Sequence, residues 1–339
     1  MKTEDFNYHL PREAIAQTPV SPRHASRLLV YSRVSGDTSH STFEHIGEWL
    51  QPRDLLVINR TRVIPARIHA HKPTGGLIEL LLLKKLDATN WEVLIGGRRV
   101  KKGMSLQVVN GPDAIVGADL EKPRRVVSFT EPVEPYLTAA GEMPLPPYIH
   151  TRLDDPERYQ TVYATEPGSA AAPTAGLHFT QELIESLKVK SIRFAEITLH
   201  VGLDTFAPVT EENPLEHVIH TEWCELSEAS AALINTAKRE GGRVVAVGTT
   251  SVRTLETAAR LAGSGDVVAP FSGPTNLFIV PGYTYKAVDM MITNFHLPKS
   301  TLLMLVSAFA GREKILSLYQ TALEQGYRFF SFGDAMLIL

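Results

Sequence analysis

Apolar and polar positions recur along this chain in three textures, and each predicts a different element. Short apolar runs bounded by turn residues read as strands at 28–31, 54–58, 192–201, 244–247, 276–280 and 288–293. Helical spacing appears at 43–50 (Phe43, Ile46, Trp49, Leu50), 180–188, 227–240, 300–310 and 312–324. A further helix follows residue 249, where Val252, Leu255, Ala258, Ala259 and Ala262 share one face. Between about 65 and 151 the period drops to two. Alternating segments at 66–70, 77–83, 91–95, 105–109, 114–118 and 125–129 are separated by Gly, Pro, Asn and Asp. Short strands so spaced predict a small barrel or sandwich. The expected fold is therefore α/β. A larger α/β domain with a mixed sheet (1–64 and 152–339) carries an inserted small antiparallel β-barrel domain (65–151) that ends in the stiff stretch Met143-Pro-Leu-Pro-Pro-Tyr-Ile149.

The centre of the larger domain is Gly242-Arg-Val-Val-Ala-Val-Gly-Thr-Thr-Ser-Val-Arg-Thr-Leu-Glu256, which reads as strand, tight turn and helix. The first N–H groups of a helix have no intrahelical partner, and the macrodipole adds positive charge there. Thr249, Thr250 and Ser251 can cap this start or offer hydroxyls to an anion, and Arg253 can grip a carboxylate or phosphate. The plainer reading is a capped helix behind a core strand, with Arg253 in an ion pair. The stretch has neither GxGxxG nor a Gly-Lys-Ser/Thr, so it is no dinucleotide or Walker loop.

Composition adds little to this picture and charge adds more. The 339 residues are 44% hydrophobic and 21% charged, with net charge −3. Residues 53–125 hold 14 Lys/Arg against 7 Asp/Glu, so a basic region sits on an otherwise acidic chain and suits a polyanion as well as plain solvent. The single cysteine, Cys224, allows no disulfide framework within the chain and fits a reducing cytoplasm. No apolar run reaches 18 residues, and the acidic opening Met-Lys-Thr-Glu-Asp lacks the apolar core of a signal peptide; no membrane partner is expected, and a monomer is.

Polar residues gather after predicted strands: Arg60 and Arg62; His200 and Asp204; Thr249, Thr250 and Arg253; Asn294 and His296. Ligands of open α/β sheets collect at such strand ends. His178 lies in a loop of small residues that a ligand can approach closely, or is simply packed. His217-x-x-His220-x-Glu222 has a spacing that zinc can use, but it is a weak signal beside HExxH, and no metal site is expected. No GxSxG elbow supports a serine hydrolase.

Taken together, Ala172-Pro-Thr-Ala-Gly-Leu-His-Phe179, Leu199-His-Val-Gly202, Gly248-Thr-Thr-Ser-Val-Arg-Thr-Leu-Glu256, Leu277-Phe-Ile-Val-Pro-Gly-Tyr283 and Ile292-Thr-Asn-Phe-His-Leu-Pro-Lys-Ser-Thr-Leu-Leu-Met-Leu-Val306 resemble the signature blocks of the S-adenosylmethionine:tRNA ribosyltransferase-isomerases of queuosine biosynthesis. Phe6-Asn-Tyr-His-Leu-Pro11, Asn59-Arg-Thr-Arg-Val-Ile-Pro65 and Tyr327-Arg-Phe-Phe-Ser-Phe-Gly-Asp-Ala-Met336 extend the likeness from end to end. One departure is Asp204, where the family pattern has glycine.

The resemblance implies that the ribosyl part of S-adenosylmethionine is moved onto the aminomethyl group of 7-aminomethyl-7-deazaguanine, at the wobble position of tRNA, and rearranged to epoxyqueuosine with loss of adenine and methionine. It implies an α/β domain with an inserted barrel, which agrees with the pattern reading. S-adenosylmethionine is then a consumed donor and no true cofactor is needed. Within that chemistry His178, His200, His296 and Glu222 are the proton-transfer candidates, with Asp289 in reserve. Thr249, Thr250, Ser251, Arg253 and Asn294 are expected around S-adenosylmethionine. Arg60, Arg62, Arg98, Arg99, Lys101, Lys102, Arg124 and Arg125 are expected against tRNA phosphates. Two other classes stand beside this one: an S-adenosylmethionine-dependent RNA methyltransferase, which lacks support from any Gly-rich loop, and a non-catalytic tRNA-binding protein.

Overall fold

The structure is a computed structural model that describes residues 1–120, 124–202, 205 and 208–339. It divides into two compact units, one of residues 1–62, 147–166 and 172–339, the other of 63–146 and 167–171. The smaller unit thus takes back a five-residue segment that the pattern reading leaves with the larger one.

The larger unit is built on a nine-stranded sheet. Its strands, numbered in chain order, are β1 (Arg27–Tyr31), β2 (Thr38–Thr42), β3 (Leu55–Asn59), β4 (Arg193–Leu199), β5 (Glu222–Leu226), β6 (Val244–Val247), β7 (Phe271–Thr275), β8 (Met290–Asn294) and β9 (Ala335–Ile338). They lie in the order β7-β5-β4-β3-β6-β8-β9-β1-β2. The four neighbours β4, β3, β6 and β8 run parallel, and so do β1 and β9; the other contacts are antiparallel. The sheet is mixed, as expected.

Its central strands are buried on both faces, which is why 244–247 reads as a continuous apolar run without alternation. On one face Leu28, Leu56, Ile58, Val245, Val247, Met290, Ile292 and Leu337 form a core with Leu183, Ile184 and Leu187 of helix α1 (Gln181–Val189). The other helices are α2 (Glu228–Arg239), α3 (Thr249–Leu261), α4 (Thr301–Ala310) and α5 (Arg312–Glu324). Ser227, Ser300 and Thr180 cap α2, α4 and α1 through their hydroxyls, whereas α3 starts behind Gly248 with no side-chain cap.

The smaller unit is a closed antiparallel barrel. Arg67–His71, Leu77–Lys85, Asn90–Gly96, Arg124–Phe129, Ala114–Asp119 and Ser105–Val108 pair in that order, and Ser105–Val108 returns to Arg67–His71. The inward members of the alternation, among them Ile68, Leu80, Val93, Leu106, Val116 and Val127, are fully enclosed.

Some local readings fail for visible reasons. The run 276–280 forms no strand. The strand there is Phe271–Thr275, and the carbonyl of Leu277 is taken by Arg253 Nε at 3.2 Å. The segment near 43 is a 3-10 turn, Phe43–Glu48, instead of an α-helix. Strand β2, Thr-Ser-His-Ser-Thr, escapes notice because it is polar and mostly exposed at the sheet edge. Among the described residues no helix is long and apolar enough to cross a membrane.

Candidate active site

Because β4, β3, β6 and β8 are parallel neighbours, their carboxyl ends open on one edge of the sheet. A cleft of about 600 Å³, partly open to solvent, lies there. Its walls are Ala172–Ala175, the turn Gly248–Thr250, the segment Thr293–Leu297, and single residues that include Tyr148, Thr205, Ser300 and Ser331.

Gly248 turns the chain from β6 into α3 at φ +87°, a left-handed conformation that favours glycine. A Cβ there would also meet Ala175 Cβ at 3.5 Å. The turn brings the uncapped start of α3 to the cleft, so its N–H groups and dipole address whatever binds there. Thr249 and Thr250 line the cleft, and the Thr250 hydroxyl is buried with no hydrogen-bond partner. Ser251 instead turns back, donating to the Val247 carbonyl at 2.9 Å.

Arg253, one turn further along α3, is buried against Glu222 of β5. The carboxylate also accepts from the Thr205 hydroxyl at 2.9 Å and the Gly202 N–H at 3.0 Å, and His220 Nε2 is 3.4 Å away. Burial alone would raise the Glu222 pKa. The Arg253 charge, with His220 and the Gly202 N–H, overcomes that and holds it at about 2. Arg253 gives Nε to the Leu277 carbonyl, and its Nη2 is buried without a partner. Thr205 carries this cluster to the cleft wall.

The three imidazole candidates sit differently. His296 faces the cleft, with Nε2 2.7 Å from the Thr293 hydroxyl. Its peptide is fixed from both sides: the N–H donates to the Tyr319 hydroxyl at 3.0 Å, and the carbonyl accepts from Tyr8. His178 reaches the cleft only through Asn294. Its Nε2 accepts from the Asn294 amide at 3.2 Å, so Nδ1 holds the proton and donates to Ser26 at 2.8 Å. Asn294 accepts in turn from the Thr174 hydroxyl at 2.9 Å. His200 stands back from the cleft, stacked on Trp223 and bonded to Thr61 at 2.8 Å. Burial lowers all three. It drives His296 to about 3, and His178 to about 3 with the charges of Arg328 and Arg23 assisting. At neutral pH these rings are uncharged, able to accept a proton or to orient a partner.

Other expected residues lie elsewhere. Asp289 is structural, holding Lys238 at 2.7 Å and the Val244 N–H at 2.7 Å. His217 pairs with Glu211 at 2.9 Å while His220 turns to Glu222 and Thr205, and no group of three or more His, Cys, Asp or Glu could hold a metal among the described residues. Asp204 falls outside the described residues. Arg60 and Arg62 are paired with Glu196 and Glu157. On the barrel, Arg124 and Arg125 are paired with Glu92 and Asp119, whereas Arg98, Arg99, Lys101 and Lys102 are exposed between Asn90–Gly96 and Ser105–Val108. Thr174, Thr205, Tyr148 and Ser331 carry no charge or metal-ligand spacing that marks them in the sequence, and His220 has only a zinc-like spacing. Thr174 and Ser331 stand inside signature blocks, which is the signal that could have found them.

A family profile described as "Queuosine biosynthesis protein" matches residues 3–338. The chain is 54% identical to the S-adenosylmethionine:tRNA ribosyltransferase-isomerases of Carboxydothermus hydrogenoformans and Symbiobacterium thermophilum, over 100% of both chains in each case. It is also similar to the crystal structure of S-adenosylmethionine tRNA ribosyltransferase from Thermotoga maritima, with 40% identity, a TM-score of 0.58, and coverage of 99% of this chain and 100% of that one.

The buried imidazoles make stability depend on acid. Unfolded histidine takes up a proton near pH 6.5, while folded His178 does so only at about 3. The unfolded state therefore binds more protons in that window, and stability falls as pH drops through it. We expect His178→Gln to narrow the gap to wild type by on the order of 3 kcal/mol between pH 7 and pH 4. Urea unfolding at both pH values measures it; a gap that stays constant would rule out a neutral buried His178.

Proposed function

The chain belongs to the queuosine biosynthesis protein family, and on that footing we propose that it transfers and isomerises the ribosyl moiety of S-adenosylmethionine onto 7-aminomethyl-7-deazaguanine at the wobble position of tRNA, working in the cytoplasm. The single observation that carries the reading is the cleft at the shared strand ends, where three signature blocks meet: 172–179, 248–256 and 292–306. Its chemistry suits the donor. The start of α3, with Thr249 and Thr250, supplies N–H and hydroxyl groups for the methionine carboxylate or ribose hydroxyls, and the buried, unpartnered Nη2 of Arg253 lies one turn behind it. Asn294, held between Thr174 and His178, offers a fixed amide at the neighbouring strand end.

The reaction needs a base at the carbon beside the sulfonium and an acid for departing adenine. His296 is the neutral imidazole on the cleft wall and takes the base role in this reading. His178 orients Asn294. His200 and the ionised Glu222 complete the set, Glu222 acting through Thr205 and His220. The exposed cations Arg98, Arg99, Lys101 and Lys102 contact tRNA phosphates.

The deciding assay mixes the protein with S-adenosylmethionine and tRNA bearing the aminomethyl-deazaguanine, then weighs the nucleosides. A new epoxyqueuosine mass with free adenine and methionine is expected; S-adenosylhomocysteine would mean methyl transfer, and bound but unmodified tRNA a non-catalytic binder. Arg253→Ala should weaken S-adenosylmethionine binding about tenfold or more, since a charge-assisted hydrogen bond contributes about 1.5–3 kcal/mol. Unchanged affinity by calorimetry would sink that role. Reversing charge at Arg98 and Arg99 should lower tRNA affinity and flatten its salt dependence by about 0.7 per lost phosphate contact; an unaltered slope would count against the barrel as an RNA surface.

A further inference from the structure

Beside the cleft lies a second recess whose walls include Arg23, Arg158, Arg328 and His178, and it shares Ser331 with the cleft itself. The three arginines come from chain segments far apart in sequence, yet their guanidiniums converge. All are half-buried, and each is aimed by backbone carbonyls. Arg23 donates to Gln160 at 2.6 Å and Glu157 at 2.7 Å, Arg158 to Val20 at 2.6 Å, and Arg328 to Thr18 at 3.1 Å and Phe332 at 2.5 Å. Carbonyl bonds orient a guanidinium without cancelling its charge.

The nearby carboxylates are committed elsewhere. Glu157 pairs with Arg62, Asp155 caps its own turn through the Glu157 N–H at 2.9 Å, and Asp334 accepts the backbone N–H groups of Arg27 and Arg328. Among the described residues none of the three arginines pairs with a carboxylate. Arg158 Nε is buried with no hydrogen-bond partner at all. The Asp155 and Glu157 carboxylates act on Arg23 only through space, and three cations this close repel one another unless an anion joins them.

We propose that this recess holds an RNA backbone phosphate flanking the nucleotide that enters the cleft, so that Arg23, Arg158 and Arg328 set the register of the substrate. The inference rests on the proposed tRNA activity. A phosphodiester fits better than the methionine carboxylate of the donor. That carboxylate travels with an ammonium and a sulfonium, which three guanidiniums would repel, whereas a phosphodiester brings one negative charge alone. Arginine forks also match phosphate oxygens bidentately.

The test uses wild-type protein and an anticodon stem-loop RNA carrying the aminomethyl-deazaguanine. The phosphates 5′ and 3′ of that nucleotide are replaced, one at a time, by neutral methylphosphonate. One replacement should weaken binding tenfold or more in fluorescence anisotropy. Arg328→Gln should weaken binding of the native RNA by a similar factor, lower the salt slope by about 0.7, and no longer sense that replacement, with the S-adenosylmethionine KM unchanged. Arg328→Lys, which keeps the charge and loses the fork, serves if the glutamine variant does not fold, and should recover only part of the loss. Wild-type binding that ignores both replacements overturns the proposal, as does a variant that raises the S-adenosylmethionine KM alone. Adenine release from S-adenosylmethionine by wild type, with the all-phosphate stem-loop carrying the aminomethyl-deazaguanine, reports the activity separately, so loss of the activity and loss of the phosphate site are distinguishable.

Discussion

The buried pair between Glu222 and Arg253 is the constraint on which the site depends. Both side chains are almost wholly enclosed, at 2% and 6% exposure. Each charge would be costly alone; removing one partner of such a pair costs about 3–5 kcal/mol because the other is left uncompensated. The pair ties β5 to α3, and through the remaining carboxylate bonds it fixes Gly202, Thr205 and His220 as well. The direction of α3, and therefore what its open N-terminus faces, follows from this contact and from the Gly248 turn.

At the neighbouring end of β8 the corresponding work is done without net charge. The chain Thr174, Asn294, His178, Ser26 links four segments through alternating donors and acceptors, and it functions in that sense only while the imidazole is neutral. Burial keeps it so. One part of the site is thus rigid through ionised groups and its neighbour through uncharged ones. A carboxylate held at about 2 and imidazoles held at about 3 keep both states fixed across the physiological range.

Much of this was legible in the chain. The mixed α/β sheet with an inserted barrel followed from the change of period, since the barrel encloses every second residue while the central sheet encloses all of them. Thr249, Thr250, Asn294 and His296 were legible because they immediately follow parallel strands. Other features depend on partners that no local pattern reveals. Arg253 was visible as an anion ligand, but its main partner Glu222 lies 31 positions earlier and was read only for proton transfer. Strand β2 is polar because it is an edge, so it carries no hydrophobic signature. The run 276–280 has the composition of a strand and no neighbour to pair with. Arg23, Arg158 and Arg328 are ordinary basic residues until the fold brings them together.

The placing of β9 also shapes how the molecule is made. This strand lies between β8 and β1, with Leu28 opposite Ala335, and the Arg27 N–H is capped by Asp334, 307 positions later. The sheet therefore closes on contacts of extreme sequence separation. Such contacts form late, because the entropy of closing so long a loop must be met before they stabilise anything. Until then one edge of the early hairpin β1–β2 and one edge of β8 stand unpaired, and both are rich in apolar side chains. A nascent chain with two such edges is exposed to misassociation throughout synthesis. Folding of this protein therefore waits on the most distant pairing in its sheet.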